Sequence, residues 1–146
     1  MDYAVQYSID NVKNNNGGPF AAIIVKDGKI ISKGVNCVVK DNDPTAHAEI
    51  VAIRKACKEL NTYNLSGCIL YSSCEACPMC YAAIRWAKID EIYYSNTRDD
   101  AANIGFIDSE IYDEIQNKKM KMVQMLHPKA IQAFQLWNED SQNIKY

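Results

Sequence analysis

Two runs, Pro44-Thr45-Ala46-His47-Ala48-Glu49 and Cys74-Glu75-Ala76-Cys77-Pro78-Met79-Cys80, hold the residue types of a hydrolytic metal site. They supply an imidazole, a Cys-x-x-Cys pair and a carboxylate two residues past the histidine. A catalytic Zn²⁺ takes three protein ligands, with sulfur at about 2.3 Å and imidazole nitrogen at about 2.0–2.1 Å, and keeps a fourth position for water. His47, Cys77 and Cys80 would fill the three places. Water at the fourth position loses its proton near pH ~7 and becomes a nucleophile. Glu49 starts from the same turn as His47 but cannot share its direction, which fits general acid/base work better than ligation.

Two helices must position these groups. Asp43 offers an N-cap oxygen and Pro44 suits a first helical position, and Ala46, Ile50, Ile53, Ala52 and Ala56 form an apolar face. Together they predict a helix over 44–60 with His47 and Glu49 in its first turns. A second helix is expected from near Cys77 through Ala82, Ala83, Ile84 and Trp86, with Cys77 and Cys80 at i, i+3 on one face. Both N-termini would point at the metal, where unpaired N–H groups and the positive dipole end stabilise thiolates.

Each half of the set has other readings. Cys-x-x-Cys alone reads as a redox pair or half of a structural zinc site. Cys74, Cys77 and Cys80 are spaced as in an iron–sulfur run, but no fourth cysteine and trailing proline follow Cys80. A single histidine in a first helical turn is ordinarily a surface or hydrogen-bonded residue. None of these accounts uses His-x-Glu together with Cys-x-x-Cys. Cys74 is read as a buried structural thiol close to the metal.

Composition narrows the class. The chain has 146 residues, one domain by length, with 48% hydrophobic residues and a formal net charge of −2. No stretch is long enough to cross a bilayer, and no basic region followed by an apolar run marks a signal peptide. Six cysteines, three of them between positions 74 and 80, point to a reducing, cytoplasmic compartment. Cys37, Cys57 and Cys68 lie in apolar stretches and read as core residues. The densest basic patch is Lys118, Lys119 and Lys121, too little for a phosphate-tracking surface, so a small substrate is favoured over a polynucleotide.

Periodicity gives the architecture. Tyr3, Val5, Ile9 and Val12 suggest an opening helix that ends in Asn14-Asn15-Asn16-Gly17-Gly18-Pro19. Strands are expected over 20–26 and 29–38, joined by the hairpin signal Asp27-Gly28. After the helix carrying His47 come a strand over 68–72, the helix from Cys77, a strand over 91–95, a helix near 109–116, a strand over 120–126 and a last helix after Pro128. A hairpin followed by alternating strands and helices implies a three-layer α/β/α fold on a five-strand mixed sheet, its site at the C-terminal edge of a strand.

On these residues the sequence resembles the cytidine and purine deaminase superfamily, whose signature is His-x-Glu followed by Pro-Cys-x-x-Cys. Within it the chain is most similar to the bacterial guanine deaminases. The likeness runs through Gly17-Gly18-Pro19-Phe20, Val25-Lys26-Asp27-Gly28, Asn42 to Glu49, Ile53 to Lys58 and Cys77 to Trp86. It continues in Asp100-Ala101-Ala102, Gly105-Phe106, Asp108-Ser109, Ile111-Tyr112, Phe134-Gln135, Trp137 and the final Tyr146. The resemblance implies a cytidine-deaminase-like fold, a Zn²⁺ cofactor, a nucleobase substrate, and hydrolytic deamination of guanine to xanthine and ammonia. It implies that Glu49 and Asp108 are catalytic and that Phe20, Asn36, Ala48, Trp86 and Tyr146 contact the base. Phe20 would stack on the base opposite His47, Asn36 would hydrogen-bond it through the amide, and Asp108 would relay a proton to the departing amine.

Ala76 departs from the signature, which has proline before its first cysteine. Proline would fix φ there, so alanine removes rigidity but no ligand. The resemblance also implies a domain-swapped homodimer in which residues 138–146, otherwise a polar tail, close a neighbouring subunit's site. Other substrates compatible with the motifs are cytosine, a triazine, a pterin, another purine or the wobble adenosine of tRNA. A non-enzymatic interaction module with structural zinc is the alternative from another class.

Overall fold

The computed structural model describes residues 1–117, 119–125, 127–139 and 144. Helix α1 (Asp2–Lys13) buries Ala4, Ser8 and Asn11, a stripe at helical spacing, while Tyr3, Ile9 and Val12 are exposed. The expected helix is there, but it packs its small residues inward because Ala4 and Ser8 permit a close approach to the sheet. Strands β1 (Ala21–Lys26) and β2 (Lys29–Val35) form an antiparallel hairpin. Asp27 and Gly28 turn it with φ of 49° and 72°, the positive pair that a two-residue hairpin requires.

β2 ends earlier than expected, and the short helix α2 (Val38–Asp41) follows, with Cys37 at its N-cap rather than inside a strand. The helix carrying the His-x-Glu run, α3 (Ala48–Glu59), begins four residues later than Pro44. Asp43 does not cap it. Its Oδ1 accepts from the Thr45 N–H at 2.8 Å and the Thr45 hydroxyl at 2.7 Å, a local turn that competes with helix.

Strand β3 (Cys68–Cys74), helix α4 (Pro78–Trp86) and strand β4 (Glu91–Asn96) form a parallel crossover unit. Helices α5 (Arg98–Asn103), α6 (Ser109–Asn117) and α7 (Gln132–Glu139) complete the described elements. The sheet order is β2-β1-β3-β4, with β1 antiparallel to both neighbours. Among the described residues the mixed sheet therefore has four strands, not five. The segment expected as the fifth forms no strand over 120–125, where Met120, Met122, Val123 and Met125 are exposed; Leu126 lies outside the described residues.

One core face is built from Ala22 and Ile24 of β1, Leu70 of β3, Ala48, Ala52 and Ala56 of α3, and Cys80 and Ile84 of α4. Alternation along β1 sends Ala21 and Ile23, both buried, to the other face. Gly34 lets α3 lie directly on β2: a Cβ there would meet the Ala48 carbonyl oxygen at 2.0 Å and the Ala52 nitrogen at 2.6 Å. The chain divides into two compact units, Met1–Tyr112 and Asp113–Tyr146. The first holds the sheet and the candidate site, and the second holds α7 and the end of α6.

Candidate metal centre and cavity

His47 and Cys77 occupy equivalent places. Each is the N-cap residue of its helix, with extended backbone (φ −68°, ψ 155° and φ −66°, ψ 167°), and neither side chain makes the usual capping hydrogen bond. Both side chains are thereby left for another partner. Cys80 lies one turn into α4 and is completely buried. The candidate ligand atoms of His47, Cys77 and Cys80 all fall within 4.8 Å of one another. A tetrahedral zinc with ordinary bond lengths spaces sulfur and nitrogen ligands about 3.5–3.8 Å apart. His47 Nδ1 and Cys77 Sγ are separated by 3.6 Å. The donor set and its spacing fit Zn²⁺.

The electrostatics agree. Hydrogen bonding from Cys80, together with His47, holds the Cys77 thiol down at about 4 despite burial. The Cys77 contact raises the His47 pKa, whereas Cys80 is driven upward by Cys77 and by burial. A lowered Cys77 pKa and a raised His47 pKa are the signature of a thiol and an imidazole in direct contact, and a divalent cation bound between them would displace any proton they hold. Cys74 is buried with Sγ 3.5 Å from the Thr97 carbonyl, and burial and the Glu49 charge push it to about 11. It is not in the three-residue cluster, so the closed four-ligand site of a structural zinc is not assembled from it.

Glu49, in the first turn of α3, is 6% exposed. Its Oε1 accepts from the Ser72 hydroxyl and its Oε2 from the Cys80 thiol, each at 3.4 Å. Burial raises its pKa, which suits a group that takes up and returns a proton. Glu49 opens onto a cavity of about 560 Å³, within the usual range for small-molecule sites.

Phe20, Asn36, His47, Cys77 and Asp108 line the same cavity. Phe20 is held edge-on by Phe106, ring centroids 4.8 Å apart and planes at 90°. Asn36 is buried, and its Oδ1 accepts from the Gly18 and Val38 N–H groups at 3.4 Å. Asp108 is half-buried, with its pKa raised by burial and the Cys77 charge against the Arg98 guanidinium. Its carbonyl accepts from the Ile111 N–H at 3.0 Å, so it begins α6 through its backbone.

Two residues expected to contact the base, Trp86 and Ala48, are not among those lining this cavity. Trp86, in the last turn of α4, is 66% exposed and does not line the cavity, because its position faces away from the buried Cys80 and Ile84. Ala48 is buried in the core, its backbone carbonyl against Gly34, and does not line the cavity either. Tyr146 lies outside the described residues, as do Lys118 and most of the expected lid. Asn138 and Glu139 of that lid end α7.

Sequence reasoning overlooked Asn11, whose Nδ2 donates to the Gly18 carbonyl at 2.9 Å and to the Asn36 carbonyl at 3.1 Å, fixing the backbone under two cavity residues. Nothing local marks it. It also overlooked α5, although Thr97-Arg98-Asp99-Asp100 carries the capping-box pattern and the structure closes that box.

Residues 1–96 match the family described as the cytidine and deoxycytidylate deaminase zinc-binding region. The chain is 46% identical over 147 positions to the guanine deaminase of Bacillus subtilis (strain 168), covering 98% of this chain and 94% of that one. An X-ray structure of guanine deaminase from Bacillus subtilis superposes with a TM-score of 0.94 over 99% of this chain and 95% of the other. A guanine deaminase structure from Nitrosomonas europaea gives a TM-score of 0.71 at 34% identity, covering 75% of this chain and 63% of its own. The tRNA-specific adenosine deaminase of Aquifex aeolicus (strain VF5) is 51% identical over 77 residues, 53% of this chain and 51% of that protein.

Proposed function

This chain belongs to the cytidine and deoxycytidylate deaminase zinc-binding family, and from that premise we propose that it is a guanine deaminase, releasing ammonia from C2 of the base to leave xanthine. One observation carries the assignment: a buried carboxylate, Glu49, stands beside a His-Cys-Cys cluster at zinc spacing and opens onto a cavity lined by Phe20, Asn36 and Asp108. The 46% identity over 98% of the chain to a guanine deaminase supports guanine over the tRNA substrate, since the similar tRNA-specific adenosine deaminases either match over about half of each chain or, over 84% of this chain, are 33% identical.

His47, Cys77 and Cys80 would hold the zinc, which when bound supplies Lewis-acid activation of a water. Glu49 takes a proton from the attacking water and delivers it to a ring nitrogen as the bond to C2 forms. Glu49 then takes the remaining proton from the C2 hydroxyl and, with Asp108 relaying, passes it to the amine, so that the C2–N bond breaks, ammonia leaves and the C2 carbonyl of xanthine forms. Phe20 stacks on the purine, and the Asn36 amide fixes its orientation by hydrogen bonding. The cavity wall is largely apolar, so its few polar groups set the local field.

The C-terminal segment from Asn138 to Tyr146 is assigned as a lid exchanged between two copies in a homodimer, with Tyr146 reaching the partner's base. The absence, among the described residues, of any helix long and apolar enough to cross a membrane is compatible with a cytoplasmic enzyme. Six free cysteines fit a reducing compartment.

Ammonia release measured against guanine, adenine, cytosine, a pterin, a triazine and tRNA tests the substrate. Turnover of guanine well above the other bases is expected, and turnover of tRNA adenosine with none of guanine would overturn the assignment. Deleting Asp140 to Tyr146 should lower turnover and dimerisation; if both are intact, the lid is wrong.

A further inference from the structure

Beside Asp108 the cavity wall carries two charged side chains that the proposed chemistry does not use, Glu75 and Arg98. Glu75 and Ala76 belong to the loop entering Cys77, Arg98 opens α5, and Asp108 and Tyr112 flank the first turn of α6. Glu75, Arg98 and Asp108 all line the cavity. The Arg98 guanidinium carbon lies 4.7 Å from the centroid of the Tyr112 ring. Its backbone N–H donates to Glu75 Oε2 at 3.3 Å, and the Tyr112 hydroxyl reaches the Ala76 carbonyl at 3.5 Å. The Tyr112 N–H donates to the Asp108 carbonyl at 3.3 Å. Three chain segments are thus held together through Arg98 and Tyr112.

A planar guanidinium over an aromatic face is attracted by the ring quadrupole and is geometrically exacting in a way an ammonium is not. Such a hold matters here because Ala76 leaves free the φ that proline would lock. Asp108 stands one residue before α6, so its carboxylate moves whenever the start of that helix moves. We infer that Arg98 is a positioning residue for deamination: with its guanidinium over the Tyr112 ring and its backbone N–H on Glu75, it holds the loop before Cys77 to the first turn of α6 and so fixes Asp108 on the cavity wall. This rests on the proton-donating role proposed above for Asp108. Beyond its packing, the Arg98 charge opposes the upward push that burial and Cys77 exert on the Asp108 carboxyl.

The test is Arg98→Met in the full-length, zinc-loaded protein, with turnover normalised to bound zinc. The expected result is a kcat about tenfold lower with KM for guanine changed by less than about twofold, because the groups that bind the ground state are untouched. Arg98→Lys, which keeps the charge without the planar stack, should recover only part of the loss. In an Asp108→Asn background Arg98→Met should change kcat by less than about twofold, since the group it positions is already disabled. An equal fall in both backgrounds, or no fall in the native background, overturns the inference.

Should the native protein be inert toward guanine, the substrate assignment fails and the clamp is judged separately. A double-mutant cycle of Arg98→Met with Tyr112→Leu on thermal unfolding then decides. Coupling of about 2–5-fold in the unfolding equilibrium supports the clamp, and strict additivity overturns it.

Discussion

A carboxylate as enclosed as Glu49 is costly unless it is neutral or balanced by nearby charge, and burial does raise its pKa. Its placement between Ser72 and Cys80 suits the proposed role of a proton carrier held in position rather than a ligand. Glu49→Gln keeps the shape and removes the proton capacity, so turnover should fall by about 10³-fold or more while metal analysis still finds zinc. Loss of zinc in that variant would make Glu49 a ligand instead. The cysteines differ just as sharply. With Cys77 held at about 4 and Cys74 at about 11, zinc-free protein should be alkylated at Cys77 across about pH 5 to about pH 8, the thiolate persisting because this range lies above its pKa. Cys74 should stay unmodified, and added zinc should protect Cys77; peptide mass mapping reads both.

At the scale of elements, the site is where two helices begin. His47 and Cys77 take N-cap positions whose side chains ordinarily bond back to the helix, and here they do not. The helix types and the Cys77/Cys80 spacing were legible from apolar periodicity and i, i+3 arithmetic. The start of α3 was not, because the Asp43–Thr45 turn competes with the first helical turn and only the folded chain shows which wins. Gly34 places α3, and with it His47 and Glu49, against β2. Gly34→Ala should cost about 3 kcal/mol, read as a lower urea midpoint at unchanged m-value, since the clash is with backbone that cannot rotate away. The fifth strand, which the described residues do not form, has a similar lesson: Met120 to Met125 has apolar residues, but apolar character alone does not supply a pairing partner.

For the whole molecule, a metal that binds only the folded chain adds its binding energy to stability. Chelation should therefore lower the melting temperature by roughly 10 °C for a chain of this size, with recovery on adding zinc, as followed by circular dichroism. A melting temperature indifferent to chelation would mean that the cluster does not tie α3 to α4. By itself the sequence determined the chemistry on offer: the candidate metal-ligand types, the proposed general base, the hairpin at Asp27-Gly28 and the alternation of helix and strand. These follow from local spacing, bond-length preference and backbone sterics, which act over a few residues. Tertiary structure decided who meets whom: Asn11 beneath Asn36 from 25 residues away, the 3.6 Å approach of His47 and Cys77, the stack of Arg98 on Tyr112, and Trp86 turned out to solvent. Those outcomes depend on how the layers pack, a balance of burial and close contact summed over the whole chain that no short window of residues contains.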